Sequence, residues 1–171
     1  MRRRVGTSLY AGLLFTVLGA IAWGTGQPFV FPSLGPTAFV LAFDRSNEPT
    51  RAAQIIASHA IGVAAGLAAW SLIAAGVSFT ATPPAFSPAG FRLAASATVS
   101  VVATTWGMIA TDTVHAPACA TILIVSLGLL STPTQAAVIV AGVVVLVGVH
   151  ALVIAAFKRI VGDSHPLYRD G

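Results

Sequence analysis

A chain of 171 residues with 56% hydrophobic and 8% charged side chains, and a mean hydropathy of +0.89, cannot cover a water-facing surface. Soluble domains carry about 25% charged residues, so this composition excludes an ordinary soluble fold and points to the bilayer as solvent. The formal net charge of +4 does not argue for nucleic acid, because the basic residues sit at segment ends and are interleaved with acids.

In chain order, Arg2, Arg3 and Arg4 form a basic head before the apolar segment 8–25. Segment 28–43 follows, then a loop holding Asp44, Arg45, Glu48 and Arg51, then segment 52–79. The stretch 80–90 contains Pro83, Pro84 and Pro88 and is expected to be a non-helical linker, since proline lacks the backbone donor a helix interior needs. Arg92 precedes segment 93–110, and Asp112 lies between that segment and 117–130. Segment 136–157 then runs into a polar tail with Lys158, Arg159, Asp163, Arg169 and Asp170. A helix needs about 20 residues to cross a hydrocarbon core of about 30 Å. Segments 8–25, 52–79, 93–110 and 136–157 meet that need, whereas the proline-led 28–43 and 117–130 are short.

The short segments fall in corresponding halves, and other landmarks recur with them. Trp23-Gly24 matches Trp106-Gly107, Pro36 matches Pro117, and Pro49-Thr50 matches Pro133-Thr134. Ala52, Ala53, Ile55 and Ala57 return as Ala136, Ala137, Ile139 and Ala141 at one constant offset. The expected fold is therefore all-α and transmembrane: a single membrane domain over 1–171, built from two related three-segment repeats at 7–79 and 91–157. A linker at 80–90 joins them, a polar tail occupies 158–171, and each repeat has one short proline-interrupted helix.

Two topologies compete. With six crossings, the N-terminus, the loop 44–51 and the tail share the cytoplasmic side; with re-entrant short segments, four helices span and Arg45 and Arg51 face outward. Six crossings place the positive charges better and invert the second repeat relative to the first. The basic head, the apolar run and Ala20-Ile21-Ala22 also look like a cleaved secretory signal, but the match between the first and fourth segments argues for retention.

The sequence Phe31-Pro32-Ser33-Leu34-Gly35-Pro36-Thr37-Ala38 breaks the chain twice with proline just before a helical run. A helix starting there presents unpaired backbone N–H groups and the positive end of its macrodipole, an anion site that Ser33 and Thr37 extend with hydroxyl donors. Pro32 and Gly35 also suit a packing kink. Thr111-Asp112-Thr113-Val114-His115-Ala116-Pro117-Ala118 is the corresponding polar stretch of the second half. Asp112 or Thr113 is placed to cap the helix that Pro117 helps start, and His115 presents an imidazole at the same helix end.

Ionisable groups at membrane depth are costly and default to functional candidates; the plainer reading of Asp112 is a capping residue at the water interface. His59 and His150 lie inside apolar helices, either lining a pathway or bonding a neighbouring helix. Gly62 and Gly66 form a small-residue pair suited to close helix contact. Cys119 sits in an apolar run and is expected to be buried and inert. Neither it nor His59, His115, His150 and His165 shows metal-site spacing, so no metal is expected.

With Ser58-His59-Ala60-Ile61-Gly62 and Val114-His115-Ala116-Pro117-Ala118 added to the 31–38 motif, the chain resembles the HPP family of integral membrane proteins over about 31–157. His115-Ala116-Pro117 stands where the family has His-Pro-Pro, so His115 and Pro117 carry over and the middle proline does not. Some plant and cyanobacterial relatives are implicated in nitrite transport, and the resemblance implies a transporter or channel for a small inorganic anion.

The expected substrate pathway is Ser33, Gly35, Pro36, Thr37, His59, Asp112, Thr113, His115 and Pro117. Two other classes stay open: a cation or small-solute permease using Asp112, and a non-transporting membrane scaffold. No enzyme and no cofactor are expected, because the chain lacks a nucleophile, base and orienting acid set, a phosphate-binding loop and a cofactor motif. The expected location is the plasma membrane, multi-pass, with both termini cytoplasmic; the expected partners are lipid and a small anion, with homo-oligomerisation open. His115, as an imidazole with an ordinary pKa of about 6.5, is expected to make anion passage rise as pH falls.

Overall fold

The computed structural model describes residues 2–43 and 49–161. Helices α1 (Arg2–Thr25), α2 (Leu34–Phe43), α3 (Pro49–Ala69), α4 (Pro88–Ala110), α5 (Ala118–Ser126) and α6 (Pro133–Val161) follow one another, with a π-helical turn at Trp70–Ala74 closing α3. Four of them, α1, α3 with its π turn, α4 and α6, are long and apolar enough to cross a bilayer. An apolar run in lipid adopts helix because a helix pairs its backbone groups within itself.

The helix ends show local chemistry. Helix α4 begins earlier than its apolar run: the Ser87 hydroxyl accepts from Gly90 N–H at 3.1 Å, and Pro88 takes a first-turn position where its missing donor costs nothing. The linker expected to reach residue 90 therefore ends at Ser87. Helix α6 opens on a reciprocal capping box, in which Gln135 N–H donates to Thr132 Oγ1 at 3.2 Å and Thr132 N–H donates to Gln135 Oε1 at 3.1 Å. At the π turn, Arg92 Nε donates to the Ile73 carbonyl at 2.7 Å and Arg92 Nη2 to that of Ala75 at 3.0 Å. Carbonyls left open at a helix end are thus paired from the next helix.

Side-chain contacts order the helices. Gln54, near the start of α3, donates to the carbonyl of Asp112 just beyond α4, while Arg92 at the start of α4 reaches the end of α3; the two helices are antiparallel. Helix α5 runs with α3. Gly62 faces Ala118 and Ile122, Gly66 faces Val125, and Phe79 N–H donates to Leu127 O at 2.9 Å. A Cβ on Gly66 would stand 2.9 Å from that of Val125, so the glycine pair does what its spacing suggested and lets α5 lie against α3.

With 10 and 9 residues, α2 and α5 rise about 15 Å or less, half a hydrocarbon core. Each follows a non-helical lead, 26–33 and 111–117, and each begins near His59, within α3. From there α2 heads toward the start of α3 and α5 toward its end. Leu14, Leu18, Leu34, Leu41, Ile55, Ile139, Val143 and Leu146 fill the apolar core among α1, α2, α3 and α6. Tyr10 OH and His150 Nδ1 lie 3.0 Å apart across α1 and α6, so His150 serves helix–helix pairing. Cys119, expected to be buried, is exposed: it occupies the outer face of α5, because the inner face is taken by Ala118, Thr121 and Ile122.

Candidate functional site

Five polar side chains meet where α2 and α5 begin. Ser33 and Thr37 come from the start of α2, His59 from α3, His115 from the lead into α5, and Thr121 from one turn inside α5. Ser33, Thr37, His59 and Thr121 are 0% exposed and His115 is 8% exposed. Thr37 is the hub. Its hydroxyl donates to the Ser33 carbonyl at 3.0 Å and lies 3.2 Å from His59 Nε2 and 3.3 Å from His115 Nε2. His59 Nδ1 is 2.7 Å from Thr121 Oγ1, and the Thr121 hydroxyl donates to Ser33 Oγ at 2.7 Å. The two imidazole centroids are 5.5 Å apart.

Proton counting shows what this network can do. Thr37 has one proton, and when that proton goes to the Ser33 carbonyl the hydroxyl can only accept from the imidazoles. Thr121 likewise gives its proton to Ser33 Oγ and accepts from His59 Nδ1. All these contacts are satisfied together when His59 carries a proton on both nitrogens. With one proton, either Thr37 or Thr121 turns its hydroxyl from Ser33 to the ring. A hydroxyl rotation thus accompanies each gain or loss of a proton, and a positive charge enclosed here calls for a negative partner.

The remaining candidates lie around the cluster rather than in it. Gly35 is half-buried, with no atom of another element among the described residues within 4 Å of where its Cβ would sit, and Pro36 is exposed. Thr113 holds the lead against α3: its carbonyl accepts from the Ser58 hydroxyl, and its own hydroxyl pairs with Thr111 Oγ1 at 2.7 Å. Asp112 is exposed, with φ at 53°, and it is its carbonyl that Gln54 meets at 3.3 Å. Neither Asp112 nor Thr113 caps α5. The residue preceding that helix is Pro117, which makes no side-chain cap. The N–H groups of Ala118, Cys119 and Ala120 turn back to the carbonyls of His115, Ala116 and Pro117 at 3.0, 3.0 and 3.2 Å, which removes the need for a cap. The expectation of free backbone donors at this helix end is therefore corrected: α5 offers the cluster its macrodipole and side chains.

Thr121 escaped the sequence reading. Its signal was present, since it is the one hydroxyl between Ala118 and Val125, four residues after Pro117 as Thr37 is four after Ser33.

Comparison with protein families matches the sequence model of the HPP transmembrane region to residues 2–163. No curated protein and no solved structure matches the chain.

Proposed function

This chain belongs to the HPP transmembrane family, and from that premise we propose that it passes a small inorganic anion, nitrite foremost, across the membrane through the cluster around Thr37. The observation that carries the proposal is the convergence of two half-length helices on one buried set of hydroxyls and imidazoles. Each helix brings the positive end of a macrodipole, about half an elementary charge, to the same point. Discontinuous helices meeting at mid-membrane are a recurrent way to bind a substrate that is reached from either face.

The groups present favour an anion. Asp112 is the only acidic residue among the described residues, and it is exposed. A cation site would need that carboxylate inward. An anion entering the cluster accepts hydrogen bonds from Thr37, His59 and His115, and it compensates a second proton on His59. Leaving, it lets that proton go and the hydroxyls return to Ser33.

The test is flux into proteoliposomes with nitrite, nitrate, formate and chloride. Nitrite flux is expected well above protein-free vesicles and should increase as pH falls, because a protonated ring attracts the anion. Absence of flux for every anion sinks the proposal. Cation flux lost in Asp112→Asn would turn it to the permease reading, and a chain moving no solute would be a scaffold.

A further inference from the structure

Beyond the cluster, four buried hydroxyls continue toward the end of the molecule that carries Arg92. Ser96, Ser100 and Thr104 recur every fourth residue along α4, and Ser126 closes α5; all are 0% exposed. Residues four apart share a helix face. Thr104 lies nearest the cluster: its Cγ2 is 3.9 Å from the point where a Cβ on Gly62 would sit, and Gly62 is one turn from His59. At the far end, the Ser96 hydroxyl donates to the Ser126 carbonyl at 2.8 Å.

A hydroxyl on a membrane helix ordinarily turns back to its own backbone, as Thr98 does to Ala94 O at 2.9 Å and Thr16 to Gly12 O at 2.8 Å. Thr104 Oγ1 and Ser126 Oγ do not, and both are buried without a partner among the described residues. Unpaired hydroxyls in a dry interior are costly, and valine or alanine would fill the same space without that cost. Packing alone gives no reason for them; a solute that accepts hydrogen bonds does.

We propose that Ser96, Ser100, Thr104 and Ser126 form the second half of the substrate route, taking the anion from His59 and Thr121 toward the mouth beside Arg92. This rests on the anion reading above. Each hydroxyl donates to the ion in turn and replaces water it has shed. Passage requires α4 to part from α5, and the Ser96–Ser126 hydrogen bond is the contact that parting breaks.

Two measurements in proteoliposomes test the route. Thr104→Val and Ser126→Ala are expected to lower maximal nitrite flux about fivefold each, the loss of one hydrogen bond at the barrier, with half-saturation unchanged. Their thermal midpoints should not fall, because neither hydroxyl has a partner to lose. Full flux, or flux lost only with a lowered midpoint, overturns the route. In a Cys119→Ala background, cysteines at 104 and 126 are expected to react with a small charged methanethiosulfonate reagent during transport. If the wild-type chain moves no anion, the preceding proposal fails by itself, and labelling still decides this one: reactive thiols uphold a polar route, unreactive thiols end it.

Discussion

Thr37 joins two imidazoles and a backbone carbonyl through a single hydroxyl, so it is the most informative position for mutation. Thr37→Val keeps the shape and removes every one of those contacts. It should raise half-saturating nitrite about tenfold, the equivalent of about 1.4 kcal/mol, while Thr37→Ser stays near wild type; equal behaviour of the two variants would remove the hydroxyl from the site. His115→Gln keeps a polar group of similar reach without titration. Its flux should keep only the smaller rise at low pH that His59 carries while the protein stays folded, and an unchanged pH profile would leave His115 a structural residue.

Serine, threonine and histidine in proline-broken apolar runs were visible in the sequence, because burying them has a cost that demands a reason. Which of them touch was not visible. Thr121 joins the cluster because of how α5 is rotated against α3, whereas Thr113 lies in the lead before α5 and pairs with Ser58 and Thr111 instead.

Helix α5 depends on glycine on both sides of it. At Gly66 the obstacle is the branch carbon of Val125, which cannot swing away, so Gly66→Ala should cost about 1–3 kcal/mol of stability through overpacking. Among the described residues outside its own helix turn, none comes within 4 Å of the missing Cβ of Gly12, so Gly12→Ala in α1 should be neutral or stabilising by up to about 1 kcal/mol. Thermal unfolding in detergent compares them, and equal midpoints would discard the packing argument. At Gly128, just past α5, φ is +74° and a Cβ would stand 2.5 Å from the Val77 carbonyl oxygen. Gly128→Ala combines left-handed backbone strain with a backbone clash and should be worse than Gly66→Ala in the same assay. The small residues at 62 and 66 announced close packing from their spacing. The partner helix, and the capping box that begins α6, became evident only with the neighbours in place, although Thr132-Pro133-Thr134-Gln135 carries that capping signal in its sequence.

Across the molecule, the antiparallel pairing of α3 with α4 and the parallel run of α5 put the start of α3 at one end and Arg92 at the other. Helix α6 begins soon after α5 and returns over 29 residues, which brings Lys158 toward the end that holds Arg51. By the positive-inside rule that end is expected to be cytoplasmic. Single cysteines at 51, 92 and 158, in a Cys119→Ala background, test this with an impermeant thiol reagent. Labelling from outside is expected at 92 alone. Reaction at 51 without reaction at 158 would defeat the arrangement. The cluster of Asp44, Arg45 and Glu48 and the tail beyond Val161, His165 included, lie outside the described residues.

An all-helical membrane protein with four long spans and two short, proline-led helices was legible from composition and proline placement. Hydropathy and the missing donor of proline are properties of a segment, and they act whatever the neighbours are. The outward faces of Asp112 and Cys119, the inward face of Thr121 and the common starting point of α2 and α5 became evident with the helices packed together. Whether a polar side chain is buried, and against what, depends on how each helix is rotated and how closely its neighbours approach, and those distances span residues far apart in the chain.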